Sequence, residues 1–135
     1  MDPVANFLTS LRNGYTARKP MVRVPHSKGN RALATLLKKE GYLQAVTETT
    51  EAESRWPALD ITLGYTDGQP AVARIRRLST PGRRLYVGSD AIPLPRTGIG
   101  TIILSTPAGL MTGRTARKQH LGGELICEVI RGGSQ

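Results

Sequence analysis

The side chains that most often perform catalysis are scattered in this sequence. The two histidines, His26 and His120, fall in separate predicted elements, and no metal-ligand spacing accompanies either of them. Cys127, the single cysteine, stands among aliphatic neighbours, a setting typical of a small buried hydrophobe rather than an activated thiol. A glycine-rich phosphate loop, a dinucleotide fingerprint and paired carboxylates are all missing from the sequence. These patterns predict a protein that is not an enzyme and that needs no metal or cofactor.

Cations and hydroxyls offer a different chemistry, the binding of a polyanion. The 135 residues include 19 Lys and Arg against 10 Asp and Glu, a net charge of +9. Such a surplus favours nucleic acid or an anionic membrane as the partner. The charge is uneven, with eight basic and two acidic groups in residues 1–40, one and five in residues 41–70, and ten and three in residues 71–135. An acidic middle between two basic arms indicates one solvated face and one face directed at phosphate.

Aromatic residues make up only 4% of the sequence, which argues against base-stacking platforms. Recognition by cations, hydroxyls and backbone amides suits structured, largely duplex RNA, whose shallow minor groove is read by shape and 2′-hydroxyls. Two clusters fit this chemistry: Ser105–Gly109, with adjacent hydroxyls before a tight turn, and Arg83–Tyr86, with two cations and an amphipathic ring. Each also has a plain structural interpretation, as an ordinary turn and as a solvated strand edge.

Capping residues predict two helices in the N-terminal part of the chain. The first begins with Asp2 as N-cap and ends at Asn13-Gly14. The second begins with Ser27 as N-cap and ends at Gly41, which supplies the left-handed C′ position. A short strand, Met21–Val24, lies between the two helices.

Alternating patterns predict strands after the second helix. Residues 42–49 form one strand, and residues 59–65 alternate apolar and polar side chains with the period of a half-buried strand. Asp67-Gly68 is a strong hairpin turn, so residues 71–78 are predicted to return as the partner of residues 59–65. A break at residues 79–82 then marks the boundary between two halves.

The fold class predicted from these elements is α+β, in two small α/β-type halves. Residues 1–79 form an N-terminal half with two helices packed on a small sheet. Residues 80–130 form a mostly antiparallel β half with one short helix, capped by Thr112, and residues 131–135 are a flexible tail. One cysteine fits a reducing compartment, and the sequence shows neither a signal peptide nor a membrane-spanning run. We expect a cytoplasmic protein with no membrane partner.

Blocks of sequence spread in order over residues 2–130 resemble one family of ribosomal proteins. The quoted blocks are Asp2-Pro3-Val4-Ala5, Pro25-His26-Ser27-Lys28, Pro81-Gly82-Arg83-Arg84-Leu85-Tyr86, Ile103-Leu104-Ser105-Thr106, Gly109-Leu110-Met111-Thr112 and Gly122-Gly123-Glu124-Leu125-Ile126-Cys127. On these blocks the chain is similar to the bacterial S-eight family of the small ribosomal subunit.

The resemblance implies a structural component of the small subunit. Proteins of the S-eight family bind small-subunit ribosomal RNA directly and early in assembly, mainly at a distorted helix of its central domain, and so nucleate assembly of the platform. The C-terminal half carries the main RNA surface, and the N-terminal half touches a second RNA helix and neighbouring ribosomal proteins. Some members also bind a similar structure in their own operon mRNA.

The RNA-binding residues implied by the resemblance cluster in the C-terminal half. They are Tyr86, Ser105, Thr106, Gly109, Gly122, Gly123 and Glu124, with Lys28 and Arg12 as secondary candidates in the N-terminal half. From the residues themselves we add Pro107 and Ala108, in the same loop as Ser105 and Thr106, and the cations Arg83, Arg84 and Arg114. Glycines permit close backbone approach. A carboxylate beside a polyanion can accept from base amino groups and add specificity. For Glu124 a salt bridge to Arg114 or Arg117 is the structural alternative.

One loop departs from the pattern of the family. Its members usually carry Ser-Thr-Ser-Lys-Gly where this chain has Ser105-Thr106-Pro107-Ala108-Gly109, so a hydroxyl and an ammonium are missing. Our hypothesis is that the same RNA helix is bound with a locally altered set of contacts. The alternatives are a free-standing RNA-binding translational regulator of the same fold and, more distantly, a basic DNA-binding protein.

Overall fold

Three α-helices and antiparallel strands make up the residues that the computed structural model describes, which are 3–49, 57–94 and 100–132. The predicted α+β class is confirmed. The chain forms two compact units, of which one ends at Val72 and also includes Gly132, while the other is Ala73–Arg131. The predicted boundary after residue 79 falls inside the second unit. None of the helices in the described ranges is long and apolar enough to cross a membrane.

Helix α2, Lys28–Lys39, has the predicted ends. The Ser27 hydroxyl oxygen accepts a hydrogen bond from the Asn30 N–H at 3.0 Å. Gly41 adopts a left-handed φ of 87° after the last turn, where the Gly41 and Tyr42 N–H groups donate to the Lys38 and Leu37 carbonyls. Both ends follow from residue chemistry that is local in the sequence.

Helix α1, Pro3–Thr16, runs past its predicted end at Asn13-Gly14. The predicted N-cap, Asp2, lies outside the described residues. A Cβ on Gly14 would stand 2.5 Å from Val22 Cγ1. Gly14 therefore does not end the helix; it lies within α1 and lets strand β1 pack closely against it. Arg18 instead takes the left-handed C′ conformation, with a φ of 55°. The predicted end was wrong because a glycine is required at this position by the close packing of α1 against β1.

The N-terminal unit contains a three-stranded antiparallel sheet in the order β1-β3-β2, from Met21–Pro25, Ala58–Leu63 and Leu43–Thr49. Along β3, Leu59, Ile61 and Leu63 are buried, while the residues between them are half-buried on the other face. Strands β4 and β5, Tyr65–Thr66 and Gln69–Pro70, form a separate hairpin. Its turn is Asp67-Gly68, as predicted, with both residues at positive φ.

The second unit contains the larger sheet. Its strands are β6 (Val72–Arg77), β7 (Tyr86–Val87), β8 (Gly100–Thr106), β9 (Gly109–Thr112) and β10 (Gly123–Arg131), in the order β6-β10-β8-β9, with β7 also paired to β10. The prediction that residues 71–78 pair with residues 59–65 was therefore wrong, because β6 joins β10. Arg131, assigned to the predicted tail, is the last residue of β10.

One face of this sheet is closed by a short helix. Helix α3, Gly113–Lys118, is capped by the Thr112 hydroxyl, which accepts from the Thr115 N–H at 3.2 Å, as predicted. His120 takes a left-handed φ of 57° at its end. The core under the helix is apolar, and it consists of Ile92, Ile102, Leu104, Met111, Ala116 and Leu125.

Candidate nucleic-acid interface

Four strands place one row of side chains on the face of the sheet opposite the core. Tyr86 pairs with Glu124, Glu124 with Ser105, and Ser105 with Leu110. Directly opposed residues of antiparallel strands lie on the same face, so the four side chains Tyr86, Glu124, Ser105 and Leu110 form a line across β7, β10, β8 and β9, which we call the cross-strand row. With adjacent strands about 4.8 Å apart, the row is about 14 Å long.

Tyr86 is the exposed end of the row. Its side chain is 67% exposed, an unusual degree for a large aromatic residue. The preceding segment holds it in place, since a turn pairs the backbones of Thr80 and Arg83 through two hydrogen bonds of 3.0 Å. The Ser79 hydroxyl then accepts from the Leu85 N–H at 2.9 Å. The backbone that carries the ring is thus fixed, and the ring is exposed at the edge of the sheet.

The hydroxyls of Ser105 and Thr106 differ in their hydrogen bonds within the protein. The Thr106 hydroxyl donates to the Gly109 carbonyl at 2.8 Å and accepts from the Ala108 N–H at 3.1 Å. It is therefore buried in its own turn. Ser105 is half-buried, and its hydroxyl has no hydrogen-bond partner among the described residues. The structure makes Ser105 available to a ligand and uses Thr106 to fix the turn, in which Pro107 and Ala108 are exposed.

Side chains at positions 122 and 123 would clash with the backbone of neighbouring strands, so both positions require glycine. A Cβ on Gly123 would stand 2.1 Å from the Ser105 carbonyl oxygen, and one on Gly122 would stand 2.4 Å from the Val87 carbonyl oxygen. The two glycines let β7, β10 and β8 approach closely at the cross-strand row. The sequence had suggested close approach of RNA, whereas the described contacts are with the protein's own backbone.

The central carboxylate of the row is paired, but with a residue that the sequence did not indicate. Glu124 has a side chain only 15% exposed, and both of its carboxylate oxygens lie 3.4 Å from one guanidinium nitrogen of Arg84. The suggested salt bridge to Arg114 or Arg117 is thus not the one formed. Arg117 instead donates a hydrogen bond to the Ile92 carbonyl.

The remaining predicted cations are exposed. In the second unit, Arg83 follows the turn before Tyr86, and Arg114 lies on α3. In the N-terminal unit, Arg12 lies on α1 and Lys28 is the first residue of α2. The structure therefore gathers Tyr86, Ser105 and Glu124 in one row, places Arg83 and Arg84 beside it in sequence, and leaves Arg12 and Lys28 in the other unit.

Strand β9 and the fourth member of the row were not predicted from the sequence. Leu110 is half-buried opposite Ser105, and Met111 beside it enters the core. A short loop that contains glycine, Pro107-Ala108-Gly109, between two short apolar runs is a hairpin signal, and it could have extended the predicted turn into a strand.

Two further candidates for chemistry are the thiol of Cys127 and clusters of metal ligands. Cys127 is fully buried, and burial raises the pKa of its thiol to about 12. Within residues 3–49, 57–94 and 100–132, no three His, Cys, Asp or Glu side chains lie close enough together to hold a metal ion. The fold and the cross-strand row thus define a class, namely a small basic α+β protein that presents an aromatic ring, a carboxylate and a hydroxyl on one face of a sheet.

Comparison with known proteins identifies the family within that class. The family described as ribosomal protein S8 matches residues 2–130, and the chain belongs to this family. It is 46% identical to the small ribosomal subunit protein uS8 of Halorhodospira halophila over 129 residues, which cover 96% of this chain and 97% of that protein. The proteins of the same name from Photobacterium profundum and Shewanella loihica are 46% and 48% identical over 128 residues, 95% of this chain and 96% of theirs.

Membership in this family decides several of the predictions made from sequence. The family consists of structural ribosomal proteins, so the prediction that the chain is not an enzyme is confirmed. Its expected place in the ribosome, and hence in the cytoplasm, is confirmed on the same basis.

Proposed function

We propose that this chain binds small-subunit ribosomal RNA directly, at a helix of the central domain, and thereby nucleates assembly of the platform. The observation that carries the proposal is the cross-strand row, in which four strands align an exposed aromatic ring with a half-buried carboxylate and a half-buried hydroxyl. The relatives named above are small ribosomal subunit proteins, which supports the same assignment.

Each member of the row suits a different part of a distorted RNA helix. The Ser105 hydroxyl can both donate and accept, so it matches a 2′-hydroxyl or a base edge in the minor groove. Glu124 can only accept when ionised, and exocyclic amino groups and 2′-hydroxyls are its complements. Tyr86 offers a ring on which an unstacked base can stack. Regular duplex RNA offers no unstacked base, so the row favours a helix with an irregularity.

The arginines would supply affinity around this row. Arg83 and Arg114 are exposed and can neutralise phosphates, which strengthens binding without reading sequence. In the N-terminal unit, the exposed Arg12 and Lys28 would serve a second RNA helix and neighbouring ribosomal proteins. Pro107 and Ala108, exposed in the turn after Thr106, would lie at the margin of the RNA contact.

Chemical footprinting of the protein on naked small-subunit ribosomal RNA tests the proposal. Protection confined to one helix of the central domain is expected. Diffuse protection, or protection only outside the central domain, would overturn the assignment.

The altered turn calls for a matched variant, Ala108→Lys, which restores the ammonium typical of the family. Because Thr106 already completes the turn through the Ala108 N–H and the Gly109 carbonyl, we expect both proteins to protect the same helix. Binding by the variant alone would show that the missing charge is essential and would contradict an altered but functional contact set.

A matching structure in the chain's own operon mRNA would engage the same row. Co-sedimentation separates the ribosomal role from the alternative, a free-standing translational regulator of the same fold. A ribosomal role requires the chain to sediment with small-subunit particles through a salt wash, whereas a regulator that acts away from the ribosome would stay in the supernatant.

A further inference from the structure

The centre of the cross-strand row carries a charge of the wrong sign for a polyanion. Glu124 stands between Tyr86 and Ser105, and its side chain is 15% exposed. A carboxylate repels phosphate, and the repulsion grows as water is excluded from an interface. An RNA surface can keep such a group only if its charge is compensated.

Arg84 provides the compensation. One guanidinium nitrogen of Arg84 lies 3.4 Å from Glu124 Oε1 and 3.4 Å from Oε2, and among the described residues no other cation pairs with this carboxylate. The Arg84 side chain remains 57% exposed, so by itself the pair adds little to stability. Its consequence is geometric, because the carboxylate on β10 is held beside a cation in the segment that precedes β7.

Arg83, the adjacent residue, provides a contrast. Its backbone pairs with Thr80, and its side chain is exposed with no acidic partner among the described residues. Two neighbouring arginines therefore differ in one respect, namely that the charge of Arg84 is already committed within the protein.

We propose that Arg84 is a positioning residue for RNA recognition, which neutralises and orients Glu124, and that it is not a phosphate contact. The proposal rests on the proposed function. Glu124, held by Arg84, rejects a regular duplex that would bring phosphate to the row and accepts a helix that presents hydroxyl or amino donors there. Arg83 keeps the task of neutralising phosphate.

A double-mutant cycle distinguishes an arginine that orients Glu124 from an arginine that contacts phosphate. The variants are Arg84→Met, Glu124→Gln and the double variant. Arg83→Met is the matched control, made both in the unmodified protein and in the Glu124→Gln variant. Affinity is measured over a range of salt concentrations for two RNAs, a central-domain transcript of small-subunit ribosomal RNA and a regular duplex of equal length. Thermal unfolding of each variant checks that the fold is intact.

If Arg84 acts through Glu124, Arg84→Met weakens binding to the transcript about 10-fold while Glu124 is present and less than about 2-fold in the Glu124→Gln background. The salt slope for Arg84→Met stays unchanged, whereas Arg83→Met lowers the slope by about one unit in both backgrounds. Arg84→Lys, which keeps a cation beside Glu124, restores most of the affinity.

The inference is overturned if Arg84→Met lowers the salt slope by about one unit on either RNA, or if its cost is the same with and without Glu124. Failure of the proposed function looks different, since the unmodified protein would then bind the transcript no better than the regular duplex. Even in that case the salt slope on the duplex decides whether Arg84 contacts phosphate.

Discussion

Each of the two larger sheets has a half-buried carboxylate beside an arginine, and the pairs Arg23–Asp60 and Arg84–Glu124 differ in how completely their hydrogen bonds are made. In the N-terminal unit, Arg23 donates to both oxygens of Asp60 at 2.6 and 3.1 Å, and the Thr49 hydroxyl donates a third hydrogen bond at 2.9 Å. In the second unit, Glu124 has only the 3.4 Å contacts of Arg84. The Ser105 hydroxyl next to Glu124 donates to no described residue.

The difference separates a structural network from a surface prepared for a ligand. Hydrogen bonding with Arg23, and further with Thr49, holds the pKa of Asp60 below its ordinary value. Its oxygens have their partners within the protein. In the cross-strand row the hydrogen-bonding capacity of Glu124 and Ser105 is largely unused, and a partner such as RNA can complete it. The predictions that follow test this contrast.

The largest effect is expected where the row is assembled. Gly123→Ala would place a Cβ 2.1 Å from the Ser105 carbonyl oxygen. Strands β10 and β8 would have to separate next to the pair formed by Glu124 and Ser105. We expect a loss of about 3 kcal/mol in the free energy of unfolding, measured in urea. Gly82→Ala is the matched control, because nothing lies within 4 Å of its added Cβ, and it should change stability by less than about 0.5 kcal/mol. Equal effects of the two substitutions would show that the close approach of the strands is not required.

A smaller effect compares the two carboxylates directly. Asp60→Asn breaks a completed network and should cost about 1 kcal/mol of stability while leaving the preference for the central-domain transcript over regular duplex unchanged. Glu124→Gln should cost less than about 0.5 kcal/mol of stability but reduce that preference about 10-fold. Urea unfolding and RNA titrations measure the two quantities. The reverse pattern would refute the contrast between the regions.

The smallest effect is the pH dependence of the stability contributed by the Arg23–Asp60 pair. Because the pKa of Asp60 is lowered in the folded protein, its contribution to stability is complete above the ordinary value of 3.8 and is lost as the pH falls through the lowered pKa. The stability gap between the unmodified protein and Asp60→Asn should therefore narrow as the pH falls below 3.8. Unfolding free energies at a series of acidic pH values measure the gap. A gap that stays constant down to about pH 2 would mean that folding does not perturb this carboxyl.

Some predictions from sequence were correct because the signal was local. Ser27 and Thr112 cap their helices, Gly41 ends α2, and Asp67-Gly68 turns its hairpin, as their residue types require. Each of these features is decided by a few adjacent residues, so tertiary contacts had little to override. The blocks of sequence that resemble the S-eight family likewise predicted the family to which the chain belongs.

Other predictions failed where a distant part of the chain decides the outcome. Gly14 looked like the end of α1, but it makes room for Val22, and Arg18 adopts the left-handed conformation instead. Residues 71–78 follow a strong hairpin turn, yet strand β6 pairs with β10, because the turn at Asp67-Gly68 joins only the short strands β4 and β5.

The sequence by itself determined the cations, the hydroxyls, the capped elements and the family of this protein. Only the tertiary structure decided that Tyr86, Glu124, Ser105 and Leu110 form one row, that Thr106 serves its own turn, and that Arg84 rather than Arg114 or Arg117 pairs with Glu124. The physical reason is that strand register sets which side chains are neighbours across a sheet, and register depends on backbone packing between distant segments, here on the room left by Gly122 and Gly123.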